Sequence, residues 1–230
     1  MPPEKYTYLL LNLASVFFPF ILSFDNKVAF YKQWKYLFPA AIITAFFFLV
    51  WDYFFTISGV WQFNERYILG IKILSLPIEE WLFFFTVPYA CVFIYEVLPK
   101  YFKSPFSHKL AKIFFQILGI SLFICGAVFI GRVYTSTVFI FTALFILLCL
   151  AWLKIPHLGY FLLAYLVQII PFLIVNGILT SLPVVIYNNQ ENLGLRIYTI
   201  PAEDTIYSLL LLLMNVAFFE FLRKDKKAIN

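Results

Sequence analysis

Seven apolar runs of near-bilayer length constrain this chain more than any other feature of its sequence. An α-helix needs about 20 apolar residues to cross the hydrocarbon core of a bilayer. Runs of this kind fall at 6–23, 37–55, 77–98, 111–130, 133–153, 158–180 and 201–222. Charged residues make up only 13% of the chain, against roughly 25% in a soluble domain. The sequence therefore predicts an all-α, polytopic membrane helical bundle with seven transmembrane helices.

Basic residues are distributed unevenly between the loops on the two sides of the membrane. Seven spans put the termini on opposite sides, and the N-terminal side holds five of the 17 lysines and arginines while the other side holds twelve. Because cytoplasmic loops are enriched in lysine and arginine, we predict an N-terminus outside and a C-terminus in the cytoplasm. Topology also accounts for the net charge of +5, so nucleic acid is not an expected partner.

The chain repeats itself after a shift of 124 residues, with no gap between Asp52 and Leu98. The shift superimposes LGIKILSLPIEE at 69–80 on LGLRIYTIPAED at 193–204. Self-similarity of this kind indicates a repeated structural unit, which here comprises about three spans.

A repeat of three spans ends on the side of the membrane opposite to the one where it began. A second repeat can have the same orientation only if one extra span lies between the two. The run at 111–130 supplies that span. We predict a 3+1+3 order: a first repeat at 1–100, a linker helix at 101–131 and a second repeat at 132–230. Parallel repeats are related by a pseudo-two-fold axis along the membrane normal.

Each repeat carries two adjacent acids behind a proline: Pro77, Glu79 and Glu80 in the first, and Pro201, Glu203 and Asp204 in the second. Proline favours the first position of a helix, so the acids are expected in the first turn. Carboxylates there can simply complement the helix dipole at a wet interface. Acids inside a membrane are costly, however, and usually mark a functional site.

Adjacent helical residues point about 100° apart. One acid of each pair can therefore face a cavity while the other orients it or contacts a loop. A carboxyl group in an apolar site resists ionisation because its anion loses hydration. Such a group would stay protonated at neutral pH and could donate a proton.

Four further polar residues are weaker candidates for orienting a substrate: Asp52, Asn176, Asn64 and Asn188. Asp52 and its counterpart Asn176 share polarity but not charge, which favours hydrogen bonding over an interfacial capping role. The two asparagines ahead of the acids could instead shape their loops. Glu96 and Glu220, near helix C-termini, are expected to have a basic or loop partner.

The duplicated motif resembles that of a known family. Pro77-Ile78-Glu79-Glu80 and Pro201-Ala202-Glu203-Asp204 both match the Pro-x-Glu-Glu/Asp pattern of the membrane-type lycopene cyclase domain family. The resemblance extends over nearly the whole chain, including the paired three-span halves. It implies a lycopene beta-cyclase, an intramolecular lyase or isomerase that converts acyclic lycopene into beta-carotene. It also implies a multi-pass protein of a bacterial-type inner membrane, with lycopene or a related apolar polyene and membrane lipids as its partners.

The resemblance also implies roles for the acids. An acid protonates the terminal double bond, the neighbouring double bond closes a ring on the carbocation, and a base removes a proton. No net redox change occurs, so general acid–base groups suffice. We assign donation to Glu79 and Glu203, and relay or orientation to Glu80 and Asp204; the choice within each pair stays open.

No cofactor or metal is expected. The eight glycines form no G-x-G-x-x-G pattern, so the sequence does not support a flavin-binding Rossmann domain. The two histidines, His108 and His157, lie in loops beside lysines, and no metal ligation is expected of them.

Three other kinds of membrane protein share the seven spans or the acids of this chain. Small-solute transporters of the parallel-repeat type share the 3+1+3 plan, although polar groups at mid-membrane are scarce here. A retinal photoreceptor would need a lysine in the last span, and 201–222 contains none. A hydratase or isomerase of similar polyenes would use the same acids and remains open.

Overall fold

A computed structural model describes residues 2–227, with side chains through residue 224. Its helices are α1 (Thr7–Leu22), α2 (Trp34–Ile57), α3 (Ile78–Tyr101), α4 (His108–Val128), α5 (Val133–Leu148), α6 (Leu158–Ser181) and α7 (Ala202–Lys227). Short 3-10 turns precede α1 and α2, and a turn of π-helix extends α5 through Leu153. Within this part of the chain, seven helical segments are long and apolar enough to cross a membrane, which confirms the predicted polytopic bundle.

The two helices that begin with the acids lie deepest in the bundle. In its most apolar window, α7 has 61% of its residues buried and α3 has 50%, whereas the α1 segment has 11%. Helix α3 packs against α1, α2, α6 and α7, and α7 packs against α2, α5 and α6. Large apolar side chains such as Phe18 and Phe46 are exposed on outer helices, as expected of surfaces that face lipid.

Short strands in the loops were not predicted, because runs of two or three residues show no detectable alternation. Strand β1 (Trp61–Phe63) pairs antiparallel with β4 (Val185–Tyr187) and joins the two halves. In this pairing Gln62 lies opposite Ile186, its own counterpart under the 124-residue shift. A two-fold relation between the repeats requires this register, since the axis must pass between equivalent residues.

Each acid-bearing helix is preceded by a β-hairpin. Strands β2 (Lys72–Ile73) and β3 (Leu76–Pro77) form the first, and β5 (Arg196–Ile197) and β6 (Ile200–Pro201) form the second.

These hairpins correct the predicted position of the prolines. Pro77 pairs with Lys72 and has an extended backbone, with φ −63° and ψ 149°, so α3 begins one residue later at Ile78. Proline has the φ of a helix but also fits the end of a strand, because it lacks only the N–H. The hairpin, which the sequence analysis missed, decides between the two. Glu79 and Glu80 still lie in the first turn, as predicted.

Candidate active site

All four acids of the duplicated motif are buried. Relative exposure is 0% for Glu79, 6% for Glu80, 0% for Glu203 and 3% for Asp204. Dipole complementation at a wet interface therefore does not describe their surroundings. Within each pair the two side chains diverge, as their helical positions predict, and they have different partners.

The first acid of each pair holds the loop that precedes its helix. Oε1 of Glu79 accepts a 2.7 Å hydrogen bond from the backbone N–H of Leu69, and Oε1 of Glu203 accepts one of 2.7 Å from Leu193. The hydroxyl of Thr135 also donates to Glu203, at 2.6 Å. These glutamates therefore anchor the loop backbone.

A glycine follows each anchored leucine. Gly70 has φ +88° and Gly194 has φ +73°, backbone conformations that residues with a Cβ adopt only at a cost in steric strain. Directly after these glycines the chain turns into the hairpins. The recurring Leu-Gly dipeptide is thus explained by an N–H that must reach the buried glutamate and a turn that only glycine accommodates easily.

The second acid of each pair lines a cavity between the repeats. Glu80 accepts a hydrogen bond from the hydroxyl of Tyr8 on α1. Asp204 accepts from the hydroxyl of Tyr134 on α5, at 2.5 Å. The two tyrosines occupy matching positions, since the backbone N–H of each also donates to a loop carbonyl, from Tyr8 to Tyr67 and from Tyr134 to Glu191.

Asp204 has two further donors. Nδ2 of Asn176 lies 2.9 Å from its Oδ2, and the hydroxyl of Tyr187 lies 2.8 Å from the same oxygen. Burial raises the pKa of the Tyr187 hydroxyl, and the carboxyl of Asp204 raises it further. Tyr187 therefore stays protonated and acts as a donor.

A third carboxyl, Asp52, joins the cavity from α2 and is 1% exposed. The hydroxyl of Tyr207 donates to its Oδ1 at 2.9 Å. Glu80 lines the same cavity, and the two carboxyls repel one another when both are ionised. Because two neighbouring buried carboxylates are costly to ionise together, the Asp52–Glu80 pair is suited to hold one proton.

The cavity extends from these carboxyls into the membrane-spanning part of the bundle. It has a volume of about 140 Å³ and is lined mainly by apolar side chains of α3, α6 and α7. Along α3 its lining runs from Glu80 to Ile94, which corresponds to roughly 21 Å at the helical rise of 1.5 Å per residue. Ser15 of α1 and Phe172 of α6 line its side and are half-buried. We call this feature the open groove.

Aromatic rings surround the carboxyl end of the open groove. Trp61 lies with its ring centroid 5.4 Å from that of Tyr134, 5.9 Å from Tyr187 and 6.3 Å from Tyr207. Phe83 lines the same region. The faces of such rings attract cations, so this end combines proton-bearing groups with surfaces that favour a positive charge.

The remaining predicted polar residues lie elsewhere. Asn64 Oδ1 accepts from the N–H of Arg66, and Asn188 Oδ1 accepts from that of Gln190, both at 3.0 Å. These matched contacts shape the loops, and neither asparagine lines the open groove. Asn176, by contrast, lies in the groove with Asp52.

Glu96 and Glu220 form a separate cluster at the other ends of α3 and α7. Arg223 bridges them: its Nη1 lies 2.9 Å from Glu96 Oε1, and its Nε lies 3.2 Å from Glu220 Oε2. The hydroxyl of Tyr95 donates to Glu220 at 2.8 Å. This confirms the prediction that both acids have a basic partner.

Four tyrosines that bind the carboxyls were not predicted from the sequence: Tyr8, Tyr134, Tyr187 and Tyr207. Tyr8 and Tyr134 match only after a shift of 126 residues, so they fall outside the gapless repeat. The counterparts of Tyr187 and Tyr207 are phenylalanines, Phe63 and Phe83, and no repeat signal marks them. A gapped comparison of the repeats would have found the first two.

No group of three histidine, cysteine, aspartate or glutamate side chains in the described chain is arranged to hold a metal ion. No described lysine or arginine forms an ion pair with Asp52, Glu80 or Asp204. The carboxyls of the groove accept hydrogen bonds from hydroxyl and amide donors instead.

Fold and site together define a class of protein: an integral, multi-pass membrane protein with buried carboxyl groups at one end of an apolar groove. Such a site suits acid–base chemistry on an apolar molecule that reaches it from the bilayer.

A family model described as lycopene cyclase matches residues 5–98 and 131–222, and the chain belongs to the lycopene cyclase family. It is therefore a membrane enzyme of the carotenoid cyclase type, with a carotenoid as substrate. The match falls on two segments, which supports the two-repeat architecture, and it favours an enzyme over a small-solute transporter. No curated protein and no solved structure matches the chain.

Proposed function

We propose that this protein is a lycopene beta-cyclase, which closes the acyclic ends of lycopene into beta-ionone rings by general acid–base catalysis. One observation carries the proposal: Asp52, Glu80 and Asp204 all line one largely apolar groove, and no described lysine or arginine forms an ion pair with them. Ring closure of a hydrocarbon polyene without net redox change begins with protonation of a double bond. Buried carboxyls without an ion-pair partner are suited to hold that proton because burial disfavours their anions.

We assign the proton donor to the Asp52–Glu80 pair. Both carboxyls line the groove, and two neighbouring buried carboxyls favour keeping one proton between them. Glu79 and Glu203, the donors predicted from the sequence, bind loop N–H groups and do not line the groove. In both repeats it is therefore the second acid of the motif that faces the substrate.

The base is assigned to Asp204. Its three donors, Tyr134, Tyr187 and Asn176, compensate a negative charge better than the surroundings of Glu80 do. Hydrogen bonds to the charged form favour that form. Asp204 can therefore remain ionised while the Asp52–Glu80 pair holds a proton.

The reaction then balances as follows. A proton moves from the Asp52–Glu80 pair to a carbon of the terminal double bond, which leaves a tertiary carbocation. The electrons of a nearby double bond form the new carbon–carbon bond of the ring and move the positive charge into it. Loss of a ring proton to Asp204 creates the final double bond. One proton enters and one leaves, so no redox cofactor is required, and we propose that none is used.

The groove also protects the cation. Water would quench it to an alcohol, and an apolar lining keeps water away. The rings of Trp61, Phe83 and Tyr207 supply negative faces near the carboxyls. A hydratase would need the opposite, a supply of water at the cation, so the apolar lining supports the cyclase over this alternative.

The acid ends of α3 and α7 lie on the same side of the bundle as the N-terminus of α1. From the loop charges we propose that this side faces outward and that Arg223 lies at the cytoplasmic side, in a bacterial-type inner membrane. Accessibility labelling of single cysteines in the 102–107 and 189–191 loops of intact cells tests this orientation. Selective labelling of the first loop would contradict it.

The function itself is tested in a bacterium engineered to accumulate lycopene. Chromatography of extracted pigments should show cyclic products once the protein is expressed. Membranes that contain the protein, incubated in heavy water with unlabelled lycopene, should give a product that carries one deuterium for each ring closed. Absence of cyclic product with protein present in the membrane would reject the proposal, and a hydroxylated product would indicate a hydratase.

Single variants test the assignment. Glu80→Gln removes a proton donor without changing shape and should lower cyclisation by about 100-fold or more, as for loss of a general acid. Glu79→Gln is its matched control, because an amide oxygen can still accept from Leu69; less than about tenfold loss is expected. The reverse order of effects would return the donor role to Glu79.

A further inference from the structure

The two-fold relation of the repeats implies a second groove equivalent to the open one. The open groove lies among α1, α3 and α6, with α7 behind it. Its counterpart would lie among α5, α7 and α2, with α3 behind it. The repeat numbering allows the two to be compared residue by residue.

Aromatic side chains fill this second groove. We call them the aromatic plug: Phe47, Phe48, Trp51, Phe84 and Phe141. Trp51 stacks on Phe48 at a centroid distance of 5.8 Å and contacts Phe141 at 5.3 Å. Phe48 contacts Phe84 at 5.6 Å, and Phe47 contacts Phe141 at 5.7 Å. The plug residues lie on α2, α3 and α5, around the expected second groove; Phe48, Trp51 and Phe84 are buried, Phe47 is half-buried and Phe141 is 44% exposed.

The open groove has smaller side chains at the equivalent positions. Val175 stands in place of Trp51, Ser208 in place of Phe84 and Pro171 in place of Phe47 under the 124-residue shift. On the first helix of each repeat, where the shift is 126, Ser15 stands in place of Phe141. The two grooves therefore differ in side-chain volume at several matched positions of the repeats.

Burial at a matched pair of identical residues shows the same asymmetry. Phe48 is 0% exposed, whereas its counterpart Phe172 is half-buried and lines the open groove. Farther along the central helices, Ala90 lines the groove and is half-buried, while its counterpart Met214 is 5% exposed. Because Phe48 and Phe172 are identical side chains, their difference in exposure comes from the space around them.

We propose that the chain has a single polyene site, the open groove, and that it closes one ring per binding event. This inference rests on the proposed function. The three carboxyls all line that one groove, so a bound polyene presents one end to them while its other end points away. A two-ringed product then requires the one-ringed intermediate to leave and re-enter by its uncyclised end.

Binding stoichiometry tests the site without reference to catalysis. Purified protein in lipid vesicles is titrated with lycopene, and bound polyene per chain is measured by absorbance after removal of free pigment. One polyene per chain is expected. Two per chain would overturn the inference even if cyclisation is normal. One per chain without any cyclic product would contradict the proposed function but not the single groove.

A time course tests the order of ring closure. With lycopene in excess over protein, one-ringed product should accumulate beyond the amount of protein before two-ringed product appears. Added unlabelled lycopene should trap labelled intermediate in the one-ringed form. Two-ringed product formed without released intermediate would overturn the proposal, because it would show that both ends react in one binding event.

Reciprocal variants separate the open groove from the plug. Ala90→Met, which copies the residue of the other repeat, should lower both binding and cyclisation by at least tenfold. Met214→Ala is the matched control and should leave cyclisation within about twofold. Val175→Trp is a second obstruction on a different helix, should the first variant fold poorly. Full activity of both obstructing variants would place the substrate elsewhere.

Discussion

The hydroxyl of Tyr207, in the second repeat, donates a 2.9 Å hydrogen bond to Asp52 of the first, 155 residues away in the chain. This bond has no counterpart in the other direction, since the residue equivalent to Tyr207 is Phe83. It therefore breaks the symmetry of the repeats at the point where their carboxyls meet. It also holds in place a carboxyl that lines the open groove together with Glu80.

Removal of this hydroxyl should impair cyclisation without unfolding the protein. Tyr207→Phe leaves a buried carboxyl oxygen without its donor, which costs about 1–3 kcal/mol and so up to about 100-fold in rate. Product formation and the amount of protein in the membrane are measured together.

Tyr165→Phe is the control for that variant. It deletes a hydroxyl that donates to the backbone oxygen of Thr205 at 3.0 Å and does not line the open groove. Equal losses in the two variants would show that tyrosine deletion acts through stability alone.

The matched tyrosines Tyr8 and Tyr134 should differ in importance. Tyr134→Phe leaves Asp204 with the donors Tyr187 and Asn176, whereas Tyr8 is the donor of the one hydrogen bond described for the Glu80 carboxyl. We expect the Tyr8 variant to lose about tenfold more activity, corresponding to about one further unreplaced hydrogen bond. A greater loss in the Tyr134 variant would contradict this assignment of donors.

The loop glycines should be sensitive to substitution for a backbone reason. At both Gly70 and Gly194 an added Cβ would meet no atom within 4 Å, but φ is positive. Alanine there should cost about 1–2 kcal/mol in unfolding free energy through strain alone.

Gly177→Ala is the control for these variants, because it is also open to a Cβ but lies within α6 without positive φ. Alanine there should be neutral or stabilising by up to about 1 kcal/mol. Unfolding in denaturant, followed for all three variants, gives the comparison. Equal stability of the Gly70, Gly194 and Gly177 variants would reject the strain argument.

Arg223 should be needed for folding rather than for chemistry. It bridges Glu96 and Glu220, at the opposite end of α3 and α7 from the cavity carboxyls. Arg223→Met leaves two largely buried acids without their ion-pair partner, which should lower stability by about 3–5 kcal/mol.

Thermal unfolding in detergent measures that loss. The triple variant, with Glu96→Gln and Glu220→Gln added to Arg223→Met, should recover much of it, because the acids are then neutral. Normal stability of the single variant would show that the cluster is not stabilising, and loss of turnover in the stable triple variant would show a catalytic role.

Sequence alone determined the seven helices, the repeat and the positions of the acids. Apolar length decides whether a segment can cross a bilayer, and repeat matching needs no knowledge of packing. The burial of Glu79, Glu80, Glu203 and Asp204 followed from the same apolar context. The 100° separation of neighbouring helical residues correctly predicted that the two acids of each pair diverge.

Tertiary structure alone decided which acid faces the groove. Glu79 accepts a hydrogen bond from the backbone N–H of Leu69, in the loop that leads into the hairpin. Strands of two residues give no signal in the sequence, so neither the hairpin nor this contact could be predicted. The partnership of Asp52 with Tyr207 joins helices from different repeats. The contrast between Val175 and Trp51 became meaningful only when their helices were placed beside the same carboxyls. Local sequence determines each helix. The groove, in contrast, forms where helices distant in the chain pack together. Whether a side chain fills it depends on neighbours that sequence order does not reveal.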